Sequence, residues 1–252
     1  PAFRAFVIYA RTAMSLRRDR SLGDVVRGLG DARALDLAGD LAARMFEFGR
    51  SILRFELGDM PGARAHGEAA QRGLTAAPLI RAWLAIQSAW VEIVEGKFVD
   101  AAAAARKGFE LDPHHAYAAA AFAHHQNGDA SEAERLAAKA LEGIDHGHVT
   151  PWVVATARSV AARIALAAGR IDEADALSKD DPSNGGTPYN RSFRAATRID
   201  VLRARGDDAS AAITALVARI ERHGASLPDD LRESFRALPE HARILELASG
   251  QR

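Results

Sequence analysis

The chain has 252 residues, 48% of them apolar and 26% charged, and its 33 basic residues balance 33 acidic ones. This is the make-up of a folded domain or repeat array, and its neutrality removes the global field that would steer it to nucleic acid or an anionic membrane. Cysteine is absent, which removes disulfides, thiolate metal ligands and cysteine nucleophiles and fits a reducing compartment, so a cytoplasmic location is expected.

In chain order, residues 1–38 are expected to form an N-terminal helical capping region with a helix near 3–17. The run Phe6–Val7–Ile8–Tyr9–Ala10 is short and bracketed by Arg4 and Arg11, so it reads as one helix face rather than a secretory core. Arg4, Arg11, Arg17, Arg18 and Arg20 face only Asp19, which is read as a solvated face. A start at Pro1 rather than methionine leads to the expectation of a piece of a longer chain. No window approaches 18 uninterrupted apolar residues, so no membrane span is expected.

From 39 to 223, alanine, leucine and arginine dominate, and these are strong helix formers. Apolar residues recur at steps of three and four, as in Trp83, Ile86, Trp90, Ile93 and Val94, which is one stripe of a helix. The spacing predicts helix pairs at 40–57 and 61–74, 79–95 and 98–111, 114–127 and 130–143, 151–168 and 171–178, and 188–205 and 208–223. Asp59 and Asp129 stand where a carboxylate can accept orphan helix amides. Thr150–Pro151 and Thr187–Pro188 read as an N-cap followed by proline at the first helical position. The polar stretch 178–188 is a loop by composition and truncates the second helix of the fourth pair. Helices near 229–236 and 239–248 make a C-terminal cap within 224–252.

Within the array a glycine is followed five residues later by an alanine, five times: Gly58/Ala63, Gly96/Ala101, Gly128/Ala133, Gly169/Ala174 and Gly206/Ala211. The glycine is expected to end the first helix of each pair in the left-handed conformation. The alanine falls one turn into the second helix, where a small side chain lets the axes approach closely. A recurrence of this length marks stacked helical hairpins.

These turns, among them Glu95–Gly96–Lys97–Phe98–Val99–Asp100–Ala101 and Ala168–Gly169–Arg170–Ile171–Asp172–Glu173–Ala174, resemble tetratricopeptide repeats. The fullest repeat is 82–113, with Ala89, Gly96, Phe98, Ala101, Gly108 and closing Pro113. The resemblance covers about residues 40–223. It implies an all-α fold: antiparallel helix pairs stacked into a right-handed α-solenoid of about five hairpins, with flanking helices. The high arginine content and Pro239–Glu240–His241–Ala242–Arg243 are similar to C-terminal arrays of bacterial signalling ATPases, kinases and transcription regulators.

Catalytic motifs are missing. Gly28–Leu29–Gly30 lacks a third glycine and a preceding strand, and Gly96–Lys97 lacks the earlier glycine of a phosphate loop. Ser51, in Gly49–Arg50–Ser51–Ile52–Leu53, lacks the second glycine of a nucleophile elbow. The 180–191 stretch ends on Arg191 where a calcium loop needs glutamate. Histidine alone clusters, at His114, His115, His124, His125, His146 and His148. His114 and His124 would lie about 15 Å apart along one helix, so a shared metal would need a residue from a neighbouring repeat. The plainer reading is polar residues at helix ends.

The resemblance implies a groove lined by the first helices. Carried over by register, one row is Ile52, Trp90, Phe122, Arg163 and Asp200, and a second is Phe55, Ile93, His125, Leu166 and Arg203. Such a surface takes an amphipathic helix or extended peptide, with Trp90 and Phe122 as anchors and Arg163 or Arg203 pairing a carboxylate. Burial of both aromatics in the core is the competing reading. The expected function is a non-catalytic interaction module, regulatory or sensory within a larger bacterial protein. It would bind a protein or peptide, with no cofactor, nucleic acid or membrane. One alternative is a homodimerising scaffold. Another is a metal-dependent protein or enzyme using the cluster of His114, His115, His124 and His125.

Overall fold

Every described secondary-structure element is a helix. The computed structural model describes Leu22 and residues 40–72, 78–144, 149–179 and 185–250. The helix expected near 3–17, nearly all of the capping region 1–38, His146, His148 and the middle of the 178–188 loop lie outside the described residues. Among the described residues there are twelve helices and no strand. They are α1 (Asp40–Glu56), α2 (Met60–Gln71), α3 (Pro78–Val94), α4 (Phe98–Arg106), α5 (Pro113–Gln126), α6 (Ala130–Leu141), α7 (Pro151–Ala167), α8 (Ile171–Ser178), α9 (Pro188–Arg205), α10 (Ser210–Ala225), α11 (Asp229–Arg236) and α12 (Pro239–Ser249).

Capping chemistry sets the starts. Asp59 accepts the amide of Gly62, Asp129 that of Glu132, and Thr187 that of Asn190, while Thr150 and Asp112 occupy the cap position without a side-chain bond. Proline opens α5, α7, α9 and α12, where its missing N–H costs nothing. Glycine sets the ends. Gly58, Gly96, Gly128, Gly169 and Gly206 all have φ between 75° and 81°. In each turn the glycine amide bonds three residues back, and the next amide bonds five residues back, as in Asp59 N–H to Arg54 O at 2.9 Å and Asp207 N–H to Leu202 O at 2.9 Å. That paired pattern closes a helix and satisfies its last carbonyls.

Four of the five alanines sit as expected. Ala63, Ala101, Ala133 and Ala174 are all buried at the crossing of their pair. Ala133→Leu is expected to lower stability by about 1–3 kcal/mol, read by urea denaturation, because the added methylenes have nowhere to go. The fifth alanine departs from the rule. Asp207 and Asp208 lengthen the turn, α10 starts later, and Ala211 is exposed. Ile213 takes the buried place, its amide bonding Ala209 O as Ala63 bonds Asp59 O. A second departure is α4, which stops at Arg106 rather than 111. The amides of Lys107, Gly108, Phe109 and Leu111 bond three residues back, and Gly108 lies so close to Ile86 and Ala116 that a Cβ there would sit 2.9 Å from Ile86 Cδ1.

The helices pack in a regular progression. Each odd-numbered helix from α1 to α7 packs on its own partner and on the next odd-numbered helix, α9 packs on its partner α10, and each even-numbered helix from α2 to α8 packs on the next odd-numbered one. After α10, helix α12 packs on α9 and α10 where another first helix would fall, and α11 packs on α10 and α12. One apolar cluster joins Leu53 of α1 to Ile244 of α12.

The turn after α1 also touches α11, far along the chain. The Ser234 hydroxyl of α11 donates to Leu57 O at 2.9 Å, 177 residues away in sequence. A Cβ on Gly58 would lie 2.1 Å from Ser234 O, whereas one on Gly96 would meet nothing within 4 Å. Both glycines have the same backbone, so alanine at either costs about 1–2 kcal/mol in strain. Gly58→Ala must also push α11 away. It is expected to cost at least about 2 kcal/mol more than Gly96→Ala, through the lost hydrogen bond and apolar contact. Urea midpoints of the two variants measure that difference, and equal midpoints would mean that the closure adds no stability.

Candidate interaction groove

The face lined by the first helices is filled by the chain itself. Helix α9 presents Tyr189, Phe193, Thr197 and Asp200 at steps of four, four and three, one stripe of a helix, and each meets a different partner. Tyr189 meets Phe55 of α1 edge-on at 5.1 Å. Phe193 meets Trp90 of α3 at 5.8 Å and Phe122 of α5 at 5.1 Å. The Thr197 hydroxyl accepts Arg163 Nε–H of α7 at 2.7 Å, and Asp200 holds Arg243 of α12 through two contacts of 2.6 and 3.0 Å.

Trp90 and Phe122 are each 4% exposed. They are walls of the core closed by Phe193, and the competing reading describes their surroundings. Trp90 Nε1–H donates to His115 Nε2 at 3.3 Å. Arg163 does hold a carboxylate, and that carboxylate is internal: its Nη1 donates to Glu240 of α12 at 2.6 Å. Its guanidinium also stacks on Phe193, 4.1 Å from the ring centre. Glu240 is buried and takes a second bond from Arg243 at 2.9 Å. Burial resists its ionisation, but Arg163 and then Arg243 override it, and the carboxyl stays below the usual range. Towards the C-terminal ends of the first helices the face is more open. His125 and Leu166 are half-buried and Arg203 is exposed. Burial, then the Arg163 charge, lowers the His125 pKa.

The histidines of the predicted cluster that the structure describes divide between the two ends of α5. His114 Nδ1–H donates to Ala140 O at 2.9 Å, tying α5 to α6, and His115 packs edge-on against Trp152 at 4.9 Å. His124 faces Asp129 at 3.2 Å across the turn. Among the described residues no three of His, Cys, Asp or Glu gather as metal ligands would.

One pair has the geometry of a nucleophile and its base. Ser192 Oγ–H donates to His241 Nε2 at 2.9 Å, while His241 Nδ1–H donates to Phe235 O at 2.8 Å. Both side chains are buried, so a substrate carbonyl has no route to the hydroxyl. Burial also lowers the histidine to about 4, a weak base. The pair ties α12 to α9 instead. A histidine kept neutral in the fold stabilises it above the unfolded value near 6.5, and that stability is lost as pH falls through 4. The full loss is on the order of 3 kcal/mol. Between pH 6.5 and 5 the wild type is expected to lose stability with acid more steeply than His241→Asn, compared by urea denaturation at each pH. Equal slopes would mean that the ring is not buried neutral.

Glu56, Tyr189, Phe193, Glu240 and Arg243 are the groove residues that sequence reasoning passed over. Tyr189 and Phe193 are spaced one helical turn apart on a predicted first helix, and that spacing was the available signal. Nothing local marks Glu56, which accepts the Tyr189 amide 133 residues away, or the pairing of Glu240 with Arg163, 77 residues away. No known protein family matches the chain, and no curated protein matches it.

Proposed function

We propose that the chain is a non-catalytic interaction module, a tetratricopeptide-like right-handed α-solenoid that recognises a helical or extended segment of a protein partner along its first-helix face. What supports this reading is that the face already grips a helix. Tyr189 and Phe193 of α9 are its aromatic anchors, and Glu240 of α12 is the carboxylate on Arg163. This is the chemistry of helix-in-groove recognition, with spaced apolar anchors and one charge pair. A partner engages the open end, at His125, Leu166 and Arg203, beside the segment held internally. By its resemblance the module is regulatory, part of a larger bacterial signalling protein, and works in the cytoplasm.

Panning a displayed library of short peptides on the chain, then titrating a selected peptide by calorimetry, tests this reading. Binding that Arg203→Glu weakens tenfold or more, and that Lys139→Glu on the exposed face of α6 leaves unchanged, is the expected result. No enrichment, or equal loss in both variants, removes the groove from consideration.

A further inference from the structure

The seam where the ends of the array meet is closed around a carboxyl group. Glu56, the last residue of α1, is 1% exposed. Its Oε2 accepts the Tyr189 amide at 2.7 Å, across 133 residues, and its side chain also hydrogen-bonds Thr187. On one side of it Phe55 meets the Tyr189 ring, and on the other Leu57 O takes the Ser234 hydroxyl. Residues 55–58 therefore clasp the first turn of α9 and the backbone of α11 together.

A buried carboxyl in this place has two states with different demands. The neutral form can stay dry, accepting the Tyr189 amide while its own O–H turns to Thr187. The anion needs water or a cation in reach. The groups around it supply little. On α1, Arg54 is engaged by Asp59 at 3.0 Å. On α9, Arg191 favours the anion but is the weakest of the influences that do. Behind the Tyr189 ring stand Glu240 and His241 of α12, the latter kept neutral. Helix α11 meets the turn through the Ser234 hydroxyl and the backbone of Ser234 and Phe235, and neither residue titrates.

We propose that Glu56 is a proton-operated clasp: its neutral carboxyl holds hairpin 1 against the start of α9, and its ionisation lets the first turn of α9 come away from Phe55. Burial pushes the Glu56 carboxyl up from 4.5 to about 7, over the opposing pull of Thr187, the Tyr189 amide and Arg191. The group therefore stabilises the seam fully below about 4.5. That stabilisation is lost as pH rises through 7, since the open seam binds fewer protons than the closed one. The clasp is tight in a mildly acidic setting and loosens towards neutrality. Loosening uncovers Phe55 and Tyr189, and with them a way to the floor of Trp90 and Phe122.

Hydrogen exchange at the Tyr189 and Asn190 amides of the full chain tests this. Protection, corrected for intrinsic exchange, is expected to fall by roughly tenfold per pH unit between 5 and 7 and then level off. Glu56→Gln, which cannot ionise, should show no such slope. A slope equal in wild type and variant overturns the clasp, and so does a wild type with none. Should the variant fail to fold, carboxyl-carbon NMR of the wild type decides. A glutamate titrating near neutral pH that disappears on raising the urea concentration is the expected signature, and glutamates all titrating below about 5.5 overturn the proposal.

Discussion

Phe193→Ala is expected to cost about 3–5 kcal/mol, the upper range for truncating a buried aromatic. The ring is 1% exposed and stands where three hairpins converge. It closes the contact with Trp90 and Phe122 and lies under the Arg163 guanidinium. Truncation leaves a cavity walled by two large rings that cannot collapse without moving α3 or α5, and packed helices yield little. It also strips the cation of its aromatic face, worth about 0.5–2 kcal/mol when partly desolvated. Phe109 provides the comparison. It stacks on Tyr117 at 4.2 Å between adjacent helices and is half-buried, so Phe109→Ala is expected to cost markedly less. Urea denaturation of both variants, followed by far-ultraviolet circular dichroism, gives the two values. A Phe193→Ala cost below about 1 kcal/mol would mean that α9 does not hold the array together.

Glu240→Leu is expected to destabilise by about 3–5 kcal/mol, while Arg163→Met with Glu240→Leu recovers most of the loss. The asymmetry follows from desolvation. Removing the carboxylate leaves a mostly buried guanidinium with only Thr197 Oγ1 at 2.7 Å and Phe193 O at 3.3 Å as acceptors, and neither cancels its charge. Removing both charges leaves apolar groups in an apolar place. Arg243 keeps Asp200 in either case. A pair this dry is poorly screened, so the cost should change little between low and high salt. Raising the salt should, by contrast, erase the small contribution of the exposed Arg135–Glu132 pair. The wild-type pair should also weaken in acid. The depressed Glu240 carboxyl contributes fully above about 4.5, and that contribution is lost as pH falls from there through its folded value. If the double variant proves no better than the single one, the pair acts through something other than mutual charge.

Much of the architecture was legible because its causes are local. A glycine followed by a polar residue and an alanine one turn on dictates a left-handed helix end and a close crossing, and both need only a few neighbouring residues. Hence the helix boundaries fall within a few residues of expectation, save at the end of α4, and α10 as a whole is displaced by two residues. The departures there have different origins. Gly108 is small because Ile86 and Ala116 crowd it, a tertiary fact laid over a correct local pattern. Ala211 loses its place because two aspartates lengthen the turn before it, a change in the local pattern itself. The groove residues were harder. Register placed Trp90, Phe122 and Arg163 on one face, but the filling of that face by Phe193 and Glu240 depends on contacts with α9 and α12 that lie far along the chain.

By itself, then, the sequence determined an all-helical chain of paired helices with glycine turns, because backbone conformation and side-chain size act between neighbours. Only the tertiary structure decided that the array meets its own beginning at Glu56, Gly58 and Ser234 and fills its first-helix face with α9 and α12. The contacts at Glu56 and Ser234 join residues more than a hundred positions apart, and no local preference encodes a contact over that distance.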